Sequence, residues 1–153
     1  MTTPPSTRQE VTQLLGDWSG GDEGALAKLT LKCRLWYDVQ ENYARNIILT
    51  EELCQLIKLF SDAGIEAIPY KGPALALFAY GNLALRRFVD LDVIVKKADV
   101  LRARDLLLPH GYVPGKSLTL AQQELLLRTQ HNLQFSRDNH RLLLELHWEV
   151  APH

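Results

Sequence analysis

The stretch FVDLDVIV, residues 88–95, decides how this chain is read. Its β-branched content makes it a strand, yet Asp90 and Asp92 interrupt an otherwise apolar run. A charge buried in hydrocarbon is costly unless something pairs with it. Strand side chains alternate, so Leu91, Val93 and Val95 face a core, while Asp90 and Asp92 share the opposite face at about 6.5–7 Å between Cα atoms. Two carboxylates that close raise each other's pKa unless a cation lies between them. A hard divalent ion with oxygen ligands, Mg²⁺ or Mn²⁺, suits that position.

A second strand repeats the anomaly. In LLLELHWEV (142–150), Leu142, Leu144, Leu146 and Trp148 share one face, and Leu143, Glu145 and His147 the other. If the two strands are neighbours, Glu145 comes within about 5 Å of an aspartate. Three carboxylates then make a metal-dependent phosphoryl site conceivable. His147 shares the face of Glu145 and is placed to orient it or to contact phosphate. His110, His131, His140 and His153 follow no zinc-ligand spacing.

A third segment offers an anion site. In PYKGPALA (69–76) a strand ends, Gly72 allows a tight turn and Pro73 suits the first turn of a helix. The free N–H groups of that helix start and the charge of Lys71 would together cradle a triphosphate. Arg86 and Arg87, just ahead of the acidic strand, are placed to neutralise phosphate or to hold the acidic cluster.

Around these segments the pattern is α+β. Residues 1–7 are expected to be disordered. A short helix over 8–15 follows, then a loop at 19–24 and a helix over 25–49. Thr50 is expected to cap a new helix, with Glu51 and Glu52 in its first turn, Leu53, Ile57 and Phe60 on its apolar face and Gly64 ending it. Strands near 65–70, 91–95, 110–115, 131–136 and 141–148 are interleaved with helices over 74–80, 100–108 and 119–128. Asp99 is expected to cap the second of these helices. The resulting division is a helical N-terminal extension, residues 1–49, and a core, residues 50–153, with a small mixed sheet flanked by helices.

Composition limits the alternatives. With 153 residues, 46% hydrophobic and a formal net charge of -1, the chain has material for one core and no global basic field that points to nucleic acid. It has no signal-peptide pattern and no apolar run long enough to cross a membrane, so a cytoplasmic location is expected. Cys33 and Cys54 read as reduced, buried thiols, although a disulfide stays open, and Trp18 and Trp36 as packed within the N-terminal helices.

Taken together, KGPALALFAYGNLALRRFVDLDVIV, a helix, HGY and then LELHWEV resemble the uncharacterised nucleotidyltransferase family of the polymerase-β-like superfamily, from about residue 40 to residue 153. The resemblance implies the minimal nucleotidyltransferase fold. It further implies that Asp90 and Asp92 are the paired metal-binding carboxylates and that Glu145 is the third, which activates or positions an acceptor hydroxyl. Lys71 and Gly72 stand where most of the superfamily has Gly-Ser against the triphosphate. The implied activity is metal-dependent transfer of an NMP from an NTP to a hydroxyl of a small molecule, an RNA or a protein. The alternative is a non-catalytic nucleotide-binding or interaction module, a truncated relic of such an enzyme. Family members usually continue with a helical region after the HW strand. The expectation is therefore an open cleft, weak turnover and self-association through exposed apolar surface near the last strand and the helix at 119–128.

Overall fold

The computed structural model describes residues 7–116, 119–138 and 141–150. The expected disorder of residues 1–6 concerns positions outside these, and Thr7 already belongs to the first helix. A boundary between Asn42 and Tyr43 divides the chain into two compact units. In the first, helix α1 (Thr7–Ser19) is joined by a tight turn to α2 (Glu23–Asp62), and Lys32 Nζ meets Glu10 Oε2 at 2.6 Å. Asp22 Oδ1 accepts the Gly24 N–H at 2.8 Å and so satisfies one free donor of the α2 start.

Helix α2 runs through the position where the sequence suggested a new start. Thr50 does not cap anything: its hydroxyl donates to the Asn46 carbonyl at 2.6 Å, one turn back in the same helix. Glu52 is not a first-turn acid either. It is buried, accepts a very short hydrogen bond from the Tyr112 hydroxyl and pairs with Arg137 Nη2 at 2.5 Å. The expected helix end does form, with Gly64 at φ 68° and the Ile65 N–H bonded to the Phe60 carbonyl at 2.8 Å.

The second unit holds a five-stranded mixed sheet in the order β1-β2-β5-β4-β3. Its strands are β1 (Ala67–Pro69), β2 (Asp90–Val95), β3 (Val113–Pro114), β4 (Asn132–Arg137) and β5 (Leu142–His147). Only β2 and β5 pair in parallel; the other neighbours are antiparallel. Helices α3 (Gly72–Tyr80), α4 (Val100–Leu107) and α5 (Leu120–Thr129) lie between the strands in sequence, as the pattern suggested. Asp99 does not cap α4 with its side chain; its Oδ1 accepts from Arg102 Nη1 at 2.7 Å instead. Helix α5 starts with a complete capping box between Thr119 and Gln122.

One face of the sheet is apolar. Leu91, Val93 and Val95 of β2, Leu144 and Leu146 of β5 and Phe135 of β4 join a single buried cluster with Leu53, Leu56 and Phe60 of α2 and Val100, Ala103 and Leu107 of α4. Each fully buried leucine there contributes about 1.5–3 kcal/mol relative to exposure. Trp148 belongs to the cluster, as its alternation with Leu146 required. Asn46 of α2 is fully buried, and its Nδ2 donates to the Leu83 and Arg86 carbonyls at 2.6 and 2.8 Å. That amide fixes the segment leading into β2.

Two expectations fail at the surface. Trp18 and Trp36 are 48% and 65% exposed, because two helices of the first unit cannot enclose them. Cys33 and Cys54 are free thiols, and both are exposed rather than buried. Leu125 and Val150 are exposed near the places anticipated, but the most exposed large apolar side chain described is Phe78 on α3, at 92%. Among the described residues, no helix is long and apolar enough to cross a membrane.

Candidate active site

The polar face of the sheet gathers what the two anomalous strands contributed. In the parallel β2–β5 pair, Asp90 lies opposite Leu143, Asp92 opposite Glu145 and Ile94 opposite His147. Because alternation buries the leucines and valines, the acids and the histidine emerge together on the other side. His147 Nε2 donates to Asp92 Oδ1 at 2.9 Å and lies 3.3 Å from Glu145 Oε2. The imidazole therefore bridges both carboxylates, and its closer partner is Asp92 rather than Glu145. Lys71 Nζ approaches the same Asp92 oxygen at 3.6 Å. The Tyr70 ring meets His147 edge-on at 5.8 Å between centroids and carries the Lys71 ammonium over its face at 5.0 Å.

The two aspartates of one strand are electrostatically unlike. Burial lifts the Asp90 carboxyl above its ordinary range, and the charges of Asp92 and Glu145 lift it further. For Asp92 burial pulls the same way. The hydrogen bond from His147 and the charge of Lys71 outweigh it and hold this carboxyl below its ordinary value. Asp92 is thus an ionised, nearly buried acid, 5% exposed, and Asp90 is a reluctant one at the margin.

Glu145 is gripped from the other side. Asn132 Nδ2 donates to its Oε2 at 2.9 Å and Gln134 Nε2 to its Oε1 at 2.7 Å. Both amides come from β4, where Gln134 lies directly opposite Glu145 and Asn132 opposite His147. Sequence reading missed them. The signal was present: Asn132, Gln134 and Ser136 alternate with the buried Leu133 and Phe135, so β4 carries a polar face beside the acidic one.

The Lys71–Gly72 turn stands against the acidic strand. Gly72 has φ 54°, and a Cβ there would lie 3.3 Å from the Asp90 carbonyl oxygen. A residue with a side chain would be both strained and crowded at this point. Lys71 makes no side-chain cap on α3, and Pro73 occupies the first turn. Arg86 is half-buried, and its buried Nη1 has no hydrogen-bond partner among the described residues. Arg87 is exposed.

One ligand atom each from Asp92, Glu145 and His147 lies within 4.8 Å of the others, a grouping that could hold a metal ion. Asp90 is outside that group, on the same strand face. The two carboxylates suit a hard cation, and the imidazole either adds a nitrogen or serves Asp92 as a hydrogen-bond donor. The remaining described histidines have ordinary partners: His110 Nδ1 lies 2.9 Å from the Leu106 carbonyl and His131 Nδ1 3.1 Å from Glu149 Oε2. His140 and His153 lie outside the described residues.

A protein-family model described as "Uncharacterised nucleotidyltransferase" matches residues 10–153, and the chain belongs to that family. The match begins at residue 10 rather than near residue 40, so it also takes in most of α1 and the first half of α2, which the sequence resemblance had left aside. No curated protein and no solved structure matches the chain.

Proposed function

We propose that this member of the uncharacterised nucleotidyltransferase family moves a nucleoside monophosphate from an NTP to a hydroxyl acceptor in a divalent-metal-dependent reaction. The observation that carries the reading is the register pairing of Asp92 with Glu145 across adjacent parallel strands, with His147 bridging them. Asp92 and Glu145 would hold Mg²⁺ or Mn²⁺, with Asp90, on the same strand face, the third carboxylate to join them. Once bound, such an ion neutralises phosphate charge and favours in-line displacement.

The chain's own groups have separate tasks. Lys71 and the start of α3 receive the triphosphate oxygens, and Arg86, with its unpartnered donor, is a second cation for them. Arg87, exposed beside it, is within the same segment. His147 keeps Asp92 ionised and oriented. Glu145 accepts the proton of the acceptor hydroxyl as its oxygen bonds to the α-phosphorus. The bond from that phosphorus to the β-bridging oxygen breaks, and pyrophosphate leaves. The two amides on Glu145 fix the carboxylate's direction before the hydroxyl arrives.

Thermal shifts with Mn²⁺ and with each NTP test the reading, alongside transfer from an α-labelled NTP. Saturating Mn²⁺ at a hundredfold excess over Kd should stabilise the protein by about 2.7 kcal/mol. Asp90→Asn with Asp92→Asn should abolish that shift and the transfer. A double variant that still responds to Mn²⁺ like the parent would place the ion elsewhere and end the proposal.

A further inference from the structure

Beside Glu145 the protein has a cavity of about 490 Å³ between α5 and the β3–β4 edge of the sheet. Its volume lies in the range of sites for small organic ligands, roughly 300–1,000 Å³. Its lining includes Asn132 and Gln134, the two amides that hold the Glu145 carboxylate. A ligand seated there is one amide away from the acid proposed to take the acceptor's proton.

The lining has a definite chemical character. Each amide that donates one N–H to Glu145 keeps a carbonyl oxygen and a second N–H. Gln130 adds another amide and Thr129 a hydroxyl, while Leu125 and Leu126 of α5 provide an apolar wall. Groups that donate and accept in equal measure, over a small apolar surface, match a molecule bearing many hydroxyls. Among the described lining residues there is no carboxylate, so the cavity itself offers an amine no counter-charge of its own. Among the described lining residues Lys116 is the single cation and there is no aromatic ring, whereas a polynucleotide needs a basic groove with stacking platforms.

We infer that this cavity is the acceptor subsite and that it takes a neutral or singly anionic polyhydroxylated small molecule, a sugar, a sugar acid or a cyclitol. The inference rests on the nucleotidyltransferase reading for its chemistry, but the binding site stands on the cavity itself. One acceptor hydroxyl would approach Glu145 past Asn132 and Gln134, and the rest of the molecule would lie along α5.

The test separates the two claims. Saturation-transfer NMR on the full chain without nucleotide would use mixtures of mono-, di- and trisaccharides, cyclitols and uronic acids, with kanamycin and a short oligocytidine as competitors. Leu125→Trp adds bulk to the cavity wall from an exposed helix position, and Leu125 is none of the proposed catalytic groups. The expected result is saturation of at least one sugar-class probe, reduced at least tenfold by Leu125→Trp, with Mn²⁺ and NTP thermal shifts unchanged. Absence of signal from every sugar-class probe overturns the inference, as does equal signal in Leu125→Trp or a preference for kanamycin or the oligonucleotide. Intact Mn²⁺ and NTP binding under those outcomes would leave the nucleotidyltransferase reading standing alone. Sugar binding without any metal or NTP response would do the reverse.

Discussion

Replacing Tyr112 by Phe removes one hydroxyl from a place where its loss can be calculated. Tyr112 is 2% exposed and donates to the buried Glu52 carboxylate, which Arg137 Nη2 also holds at 2.5 Å. The ring stays, and with it the stacking of the Arg137 guanidinium over its face at 5.0 Å. What goes is a hydrogen bond to a charged acceptor, which contributes about 1.5–3 kcal/mol. Glu52 keeps Arg137, so the larger penalty of an unpaired buried charge does not arise. For a chain of this size the change lowers Tm by about 3–12 °C. Urea unfolding should show a lower midpoint at an unchanged slope. The pH dependence adds a second check. Burial, then the hydrogen bond and charge of Glu52, push the Tyr112 pKa well above the ordinary 10.0. Above pH 10 the unfolded chain releases this proton and the folded one retains it. The unfolded state then binds fewer protons, so stability falls as pH rises. Tyr112→Phe should remove that share of the alkaline decline. A midpoint shift worth less than about 0.5 kcal/mol, below the range for any hydrogen bond to charge, would refute the assigned network.

Other substitutions probe the rest of the structure. Gly72→Ala must place a Cβ 3.3 Å from the Asp90 carbonyl at φ 54°, whereas Gly81→Ala at φ 62° meets open space. Both should lose about 1–2 kcal/mol to the left-handed backbone, and equal losses in urea unfolding would show that the Asp90 contact costs nothing extra. Lys71→Ala should weaken NTP binding more than Mn²⁺ binding in calorimetry, and unchanged NTP affinity would remove Lys71 from the phosphate site. Leu146→Ala, in a fully buried position, should cost about 2–5 kcal/mol, read from the denaturation midpoint. Asn46→Ala strips two carbonyls of their donor and should destabilise by about 2–4 kcal/mol, with amide exchange accelerating first around residues 83–86.

The strands that carry the candidate site were legible because their acids interrupt otherwise apolar runs. Period two then gave the shared face, and the parallel register turned two separate anomalies into one cluster. The start of α3 was legible for a similar reason: Gly72 and Pro73 have few other uses in sequence. Thr50 misled because its side chain can cap a helix or bond backwards within one, and only the surrounding packing selects between these. Glu52 carried no mark distinguishing it from a first-turn acid, since its partners Tyr112 and Arg137 are remote in sequence. The exposure of Trp18 and Trp36 reflects the number of elements in the first unit, which a residue's own chemistry does not encode. Asn132 and Gln134 were overlooked because amides in a strand look like ordinary solvent-facing positions until an acid is known to lie opposite.

The sheet order has a kinetic consequence. Strand β5 is the last strand in the described sequence and the middle one in space, between β2 and β4. Where β5 is not paired with β2, the β1–β2 pair and the β3–β4–β5 group each present an open edge with unmet backbone groups, and such edges recruit other chains. The β4–β5 side is a local hairpin, with Arg137 opposite Leu142, whereas the β2–β5 side joins Asp92 to Glu145 across a large sequence separation, the kind of pairing that slows folding. The non-local pairing that closes the sheet is thus the same one that assembles the acidic cluster.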